Sequence, residues 1–326
     1  MKSRGVFIAI LVSLIFVFSS YAQQNDFPVL KGPYLGQKPP GTIPEIFAPG
    51  ILNSISMIHG RISFSPNGSE VFWSCNAAPV QSRWFMKHNN AGEWSLPKKS
   101  FFSIEYNENM LSYSSDGYRI FFHSRRPLLG NGSPKDKDIW YRDRSGEGWS
   151  YPINIDSSVN SSSMDESSPS IAGNNPIYFC REEYNGIHGS SGHAAGQSDI
   201  YYSQFIRNKY LAPLKFGTEI NSNFQEIDPI IAPDNSFILF SSNRPGGYSS
   251  MMNLYVSFNR RDGTWTEAQC LSNEFKIENI WFPSISSDGK YIFFCGGLPT
   301  SKGYTNSHYY WVDAKIIEKL KPDELK

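Results

Sequence analysis

Glu108, Glu166 and Glu226 each stand three residues ahead of a short segment that recurs along the chain, starting at 111, 169 and 229. His59 holds the matching place in an earlier copy, and Glu278 lies close to it, but shifted, in a later one. A ring of carboxylates at one level suits a bound cation or the hydroxyls of a sugar. Two carboxylates about 5–10 Å apart would also suit hydrolysis of a glycosidic bond. Arg125, Arg181 and Arg244 recur after the apolar run of three copies. They supply the other reading, in which each carboxylate pairs with an arginine and caps loop N–H groups. Repetition favours that reading, because a catalytic group need occur once while a repeated one serves the repeat. Trp281, beside Phe282 at the entrance of a copy, is a candidate to stack on a sugar or a protein partner.

Other constellations carry less. His188 and His193 lie in a Gly/Ser-rich stretch with Asp199 beyond, but a zinc site needs three or four organised ligands. Asp136 and Asp138 resemble a fragment of a calcium loop without its glycine and bidentate glutamate. The sequence has no G-x-S-x-G elbow and no H-E-x-x-H. No catalytic residue, metal site or cofactor is therefore assigned.

The elements that would position these residues follow from the repeat itself. Its copies read Ile62-Ser63-Phe64-Ser65-Pro66-Asn67-Gly68, Leu111-Ser112-Tyr113-Ser114-Ser115-Asp116-Gly117, Pro169-Ser170-Ile171-Ala172-Gly173-Asn174, Pro229-Ile230-Ile231-Ala232-Pro233-Asp234-Asn235 and Pro283-Ser284-Ile285-Ser286-Ser287-Asp288-Gly289. Each precedes a run of large apolar residues such as Ile120-Phe121-Phe122 or Ile292-Phe293-Phe294. Asn-Gly and Asp-Gly supply the positive φ of a tight hairpin, and an unbroken apolar run fits a strand buried on both faces. A third strand follows, for example Asp199-Ile200-Tyr201-Tyr202. The fourth begins around Trp94, Trp149 or Trp265, with a Pro marking an outer edge. Turns ending at 68, 117, 174, 235 and 289 predict five four-stranded blades.

The fifth copy lacks a fourth strand, and Ile46-Phe47-Ala48-Pro49-Gly50 resembles one. The expected fold is all-β: a five-bladed β-propeller of four-stranded antiparallel blades, with the ring closed by the N-terminal strand. After Val312, Ile316, Ile317 and Leu320 at helical spacing predict one short helix.

At this point a family resemblance becomes specific. Asp228-Pro229-Ile230-Ile231-Ala232-Pro233-Asp234, Phe240-Ser241-Ser242-Asn243-Arg244-Pro245-Gly246-Gly247, Leu254-Tyr255-Val256 and Asp262-Gly263-Thr264-Trp265 resemble the TolB-like (WD-like) propeller repeat. The first copy departs from it, lacking the acidic residue and proline ahead of its first strand. The resemblance implies a propeller in the periplasm or on the cell exterior, often a protein- or glycan-contacting module. It does not imply one activity.

The ends and the charge balance complete the reading. Lys2 and Arg4, an apolar run from Val6 to Phe18 and small residues before Gln23 predict a signal peptide over 1–22. An extended segment over 23–44, the propeller over 45–313 and a helical tail over 314–326 follow. Removing the signal leaves 28 basic against 30 acidic residues, with no electrostatic footprint for nucleic acid. Cys75, Cys180, Cys270 and Cys295 form no CxxC, and buried free thiols are expected. The expected function is an exported, non-enzymatic binding or scaffold module that meets a protein or glycan of the bacterial envelope through its long-loop face. The alternative is a carbohydrate-active enzyme, a glycoside hydrolase or lyase, using channel carboxylates.

Overall fold

The recurrent turn sets the first hairpin of every blade. Gly68, Gly117, Asn235 and Gly289 take left-handed φ values of 69°, 72°, 63° and 71°. In the third copy the left-handed residue among the described ones is Asn175, with φ 71°, one position beyond the expected turn end. The turn is counted from the alanine carbonyl that closes it: Asn175 N–H donates to Ala172 as Asn235 N–H donates to Ala232. The computed structural model describes residues 27–52, 60–77, 80–129, 132–133, 135–146, 148–173, 175–183, 198–297, 299–300, 303–304 and 308–326.

Five four-stranded antiparallel sheets result, the first four with strands in chain order from the axis outward. The inner strands are Ser63–Phe64, Asn109–Tyr113, Met164–Ile171, Glu226–Ile231 and Glu278–Ile285. The fifth sheet takes its outer strand from the start of the chain. Glu45–Ile46 pairs antiparallel with His308–Asp313, Glu45 opposite Trp311 and Ile46 opposite Tyr310. This joins the two ends of the propeller and removes an open edge. The tail forms a 3₁₀ helix over Ala314–Lys319, with Asp313 accepting from Lys315 N–H as its cap.

The outer strands differ from expectation. They are two residues each (Lys98–Lys99, Ile153–Asn154, Leu214–Lys215, Gln269–Cys270) and start beyond the tryptophans. Trp94 and Trp265 instead form isolated bridges to His88 and Asn259, and Trp149 pairs with Arg144 in a short hairpin. These aromatics extend the third strand's turn, and in the first three blades the edge strand begins directly after the proline, Pro97, Pro152 or Pro213.

Second strands fill the space between blades. Phe122, Phe179, Phe240 and Phe294 are fully buried. At the closure, Phe47 meets Phe293 and Trp311 at centroid distances of 5.1 and 5.0 Å. Cys180, Cys270 and Cys295 are free thiols; the side chain of Cys75 lies outside the described residues. So does the predicted signal segment. Among the described residues, no helix is long and apolar enough to cross a membrane.

Candidate functional site along the ring axis

In four of the five blades the inner strand breaks its register seven residues before the turn residue. The ladder shifts between Asn109 and Ser112, Ser167 and Ser170, Ile227 and Ile230, and Trp281 and Ser284. At these bulges Met110, Ser168, Asp228 and Phe282 take φ of 56°, 54°, 56° and 55°. A left-handed non-glycine residue costs roughly 1 kcal/mol or more, so four at one level need compensation. Arg61, at the equivalent place in the first blade, supplies it. Its Nε donates to the carbonyl of Pro283 at 3.0 Å, Nη1 to Pro169 at 2.8 Å and Nη2 to Pro229 at 2.9 Å. Ser63 Oγ takes the carbonyl of Leu111 at 2.5 Å. Two neighbouring side chains of blade one thus hold the bulge carbonyls of the other four. Arg61 is 1% exposed and crosses the axis, dividing the channel in two. Burial lowers its pKa to about 10, which leaves it cationic at neutral pH.

The repeated glutamates stand at the start of the inner strands, on the face of the long connections, and all three are fully buried. Each is occupied. Glu226 accepts from Ser222 N–H at 2.8 Å, from the hydroxyls of Ser222 and Ser242 at 2.7 and 2.8 Å, and pairs with Arg244 at 2.9 Å. Glu166 accepts from Ser161 N–H at 3.1 Å and from Arg181 Nε at 2.8 Å. Glu108 accepts from Ser103 N–H at 2.8 Å, Arg126 at 2.8 Å and Arg142 at 3.5 Å. Arg181 lies over the Tyr201 ring and Arg244 over the Tyr255 ring, each 5.0 Å from the centroid. In the second blade the partner is Arg126, not Arg125. Arg125 reaches across to Asp165 of the third blade at 3.0 Å, because the repeat there carries two consecutive arginines. His59 lies outside the described residues, as do His188 and His193.

Burial, with Asp138 adding its negative charge, pushes the Glu166 carboxyl up to about 8, while Arg181 and the Ser161 N–H oppose the rise. In the unfolded chain the group releases its proton near pH 4.5. The folded protein therefore holds a proton between these values that the unfolded chain gives up. This contribution to stability is full below about pH 4.5 and is lost as pH rises through about 8. The urea midpoint is expected to fall between pH 5 and pH 8, with a shallower fall in Glu166→Gln. Equal slopes in the two proteins would rule this out.

At the bulge level itself, beside Arg61, lies a second polar cluster. Ser168 Oγ donates to Asp228 Oδ1 at 2.6 Å, Ser168 N–H donates to His123 Nδ1 at 3.4 Å, and Asp228 N–H donates to Cys180 Sγ at 3.1 Å. Burial and the nearby cations hold His123 well below the usual imidazole range. The ring is therefore neutral, with its proton on Nε2. His123 Nε2 and Asp228 Oδ2 are both buried and have no hydrogen-bond partner among the described residues. Serine, histidine and a carboxylate meet here in the wrong order for nucleophilic catalysis. The serine hydroxyl donates to the carboxylate, whereas activation requires the histidine to receive its proton. What remains is a donor and an acceptor suited to a polar ligand. Trp281 packs beside this level, against Cys180, Ile227 and Met252, and its Nε1 donates to Asn279 Oδ1. It is half-buried, so only part of the ring is open to a ligand.

Arg61, His123, Ser168 and Asp228 were not among the sequence candidates. Aligned on the turn, the repeat shows Arg61 where other copies carry Met110, Ser168, Asp228 and Phe282. A lone long cation at a repeat position that is uncharged or acidic in the other copies was the available signal.

No protein-family model matches the chain, and no curated protein matches it. Solved propellers do. A protein assigned as TolB in Agrobacterium tumefaciens matches at 16% identity and a TM-score of 0.46, over 78% of this chain and 76% of that one. Oligogalacturonate lyase from Vibrio parahaemolyticus matches at 10% identity and a TM-score of 0.45, over 86% and 71%. An α-L-arabinanase of Penicillium chrysogenum matches at 12% identity and a TM-score of 0.44, over 81% and 79%. The neighbours thus range from TolB to carbohydrate-active enzymes, all similar to this chain at a level that carries no choice of function.

Proposed function

We propose that the protein is an exported, non-enzymatic binding module that meets a protein or glycan partner of the cell envelope through its long-connection face. The observation that carries this reading is the engagement of Glu108, Glu166 and Glu226. Each ties a connection between blades to an arginine of the same blade, so the carboxylates serve as anchors of a rigid platform. Loops held on a rigid scaffold are where recognition usually resides. The same face presents apolar side chains to solvent: Leu128 and Leu129, 62% and 91% exposed, with Phe224, Tyr248 and Met251. Exposed apolar clusters suit a partner surface. Export rests on the N-terminal pattern of residues 1–22.

A second reading has one observation in its favour. Asp228 keeps a buried oxygen without a partner among the described residues, a group that an enzyme acting on carbohydrate would use in the channel. A glycan array and an envelope-protein pull-down, run with the wild type, Leu128→Asp/Leu129→Asp and Asp228→Asn, separate the two. The binding reading expects a retained partner whose capture falls at least roughly tenfold in the leucine double variant and persists in Asp228→Asn. Cleavage of an array glycan by the wild type, abolished in Asp228→Asn, would replace it with the enzymatic reading.

A further inference from the structure

On the tight-turn side of Arg61 the channel widens into a cup of about 240 Å³. Arg61 forms its floor. Ser63, Ser112 and Ser284 stand two residues beyond the bulge level in three blades and line the wall above it, with Ile230 at the same place in a fourth. Ile171, Ile231 and Ile285 line the next level toward the mouth. Among the described residues lining the cup, Arg61 is the one charged side chain.

Two features of this cup are unresolved by the fold itself. Three of the five guanidinium donors are spent on the bulge carbonyls, and no carboxylate pairs with Arg61 among the described residues. Asp228 acts on Arg61 as a negative charge only beyond ion-pair distance, and a buried cation without a direct partner is costly. Ser284, 5% exposed, has a buried hydroxyl with no partner among the described residues. A cationic floor, a free hydroxyl above it and an aliphatic wall together describe a complement to one kind of ligand.

We propose that this cup binds a small aliphatic carboxylate, its anionic group toward Arg61 and Ser284 and its hydrocarbon body against Ile171, Ile231 and Ile285. A single negative charge matches the single guanidinium. A phosphate would bring more charge than one cation and a few hydroxyls can satisfy, and a sugar body would meet Ile171, Ile231 and Ile285 at the level above the serines, where it needs hydrogen bonds. The cup opens on the face opposite the long connections, so the proposal stands apart from the partner-binding reading.

The test uses sodium butyrate and its neutral counterpart butyramide as probes, followed by NMR titration of the protein. The expected result is saturable binding of butyrate, with butyramide at least roughly tenfold weaker, since hydrogen bonds to a charged group are the stronger ones. Ser284→Ala keeps Arg61 and the wall, and is expected to weaken butyrate several-fold. Ser112→Leu fills the cup and is expected to abolish binding, with Ser284→Ala carrying the test if that variant fails to fold. Equal affinity for the amide, no saturable shift with butyrate, or wild-type affinity in Ser284→Ala would each overturn the proposal.

Discussion

Replacing Arg61 by methionine is expected to lower the unfolding free energy by about 4 kcal/mol, although the residue has no ion pair among the described residues. The loss comes from the carbonyls of Pro169, Pro229 and Pro283, which give up their donor at the axis. Each hydrogen bond to a charged donor contributes about 1.5–3 kcal/mol. Against this, methionine removes a buried cation, whose desolvation cost offsets part of the gain. The hydrogen bonds win because they also hold the strained bulges. The left-handed Ser168, Asp228 and Phe282 are each followed by a carbonyl held at the axis, so loss of the donor is expected to release them. Urea unfolding of Arg61→Met and Arg61→Lys measures the balance. Lysine keeps the charge but has no planar fork to span three blades, so it is expected to recover only a part. A methionine variant within about 1 kcal/mol of wild type would mean that the bulges are set by their own strands.

That prediction also marks how far the sequence could be read. Blade number, strand order and ring closure were legible because they are local. A turn residue with positive φ, an apolar run and an outer proline each leave a mark within a few positions, and the missing fourth strand of the last copy pointed to Glu45–Ile46. The glutamate–arginine units were half legible: their repetition showed that they serve the blade. The choice of Arg126 over Arg125 depends on which of two adjacent side chains turns inward, which spacing does not encode. Arg61 was illegible for a different reason. Its partners are backbone carbonyls 108 to 222 positions away, and carbonyls carry no residue signature. The donor and acceptor at His123 and Asp228 were missed likewise, since the ring alone brings residues of different blades to one level.

The second large effect is expected at Glu226. Glu226→Ala should cost about 3–5 kcal/mol and should also loosen the connection entering the fourth blade. The carboxylate is fully buried, and Arg244 is 14% exposed. Deleting the acid leaves a desolvated guanidinium whose remaining contacts among the described residues include the carbonyl of Ile220, the hydroxyl of Ser242 and the Phe240 and Tyr255 rings. It also strands the Ser222 N–H, which now closes the loop ahead of the inner strand. Glu226→Gln keeps an acceptor for Ser222 but loses the charge, so it should fall between the two. The double variant Glu226→Ala/Arg244→Met removes both charges, and is expected to recover much of the loss, because an absent pair costs less than a broken one. Hydrogen exchange at residues 217–226 separates a local from a global effect. Faster exchange confined to that segment in Glu226→Gln would identify the carboxylate as the anchor of the connection. Unchanged exchange there, with lowered global stability, would show that the glutamate supports the blade's core and leaves the loop to other contacts. The distinction bears on function directly, since Phe224 sits on this connection with 42% of its surface exposed. A partner that needs Phe224 in place would lose affinity in Glu226→Gln without any contact to the glutamate itself.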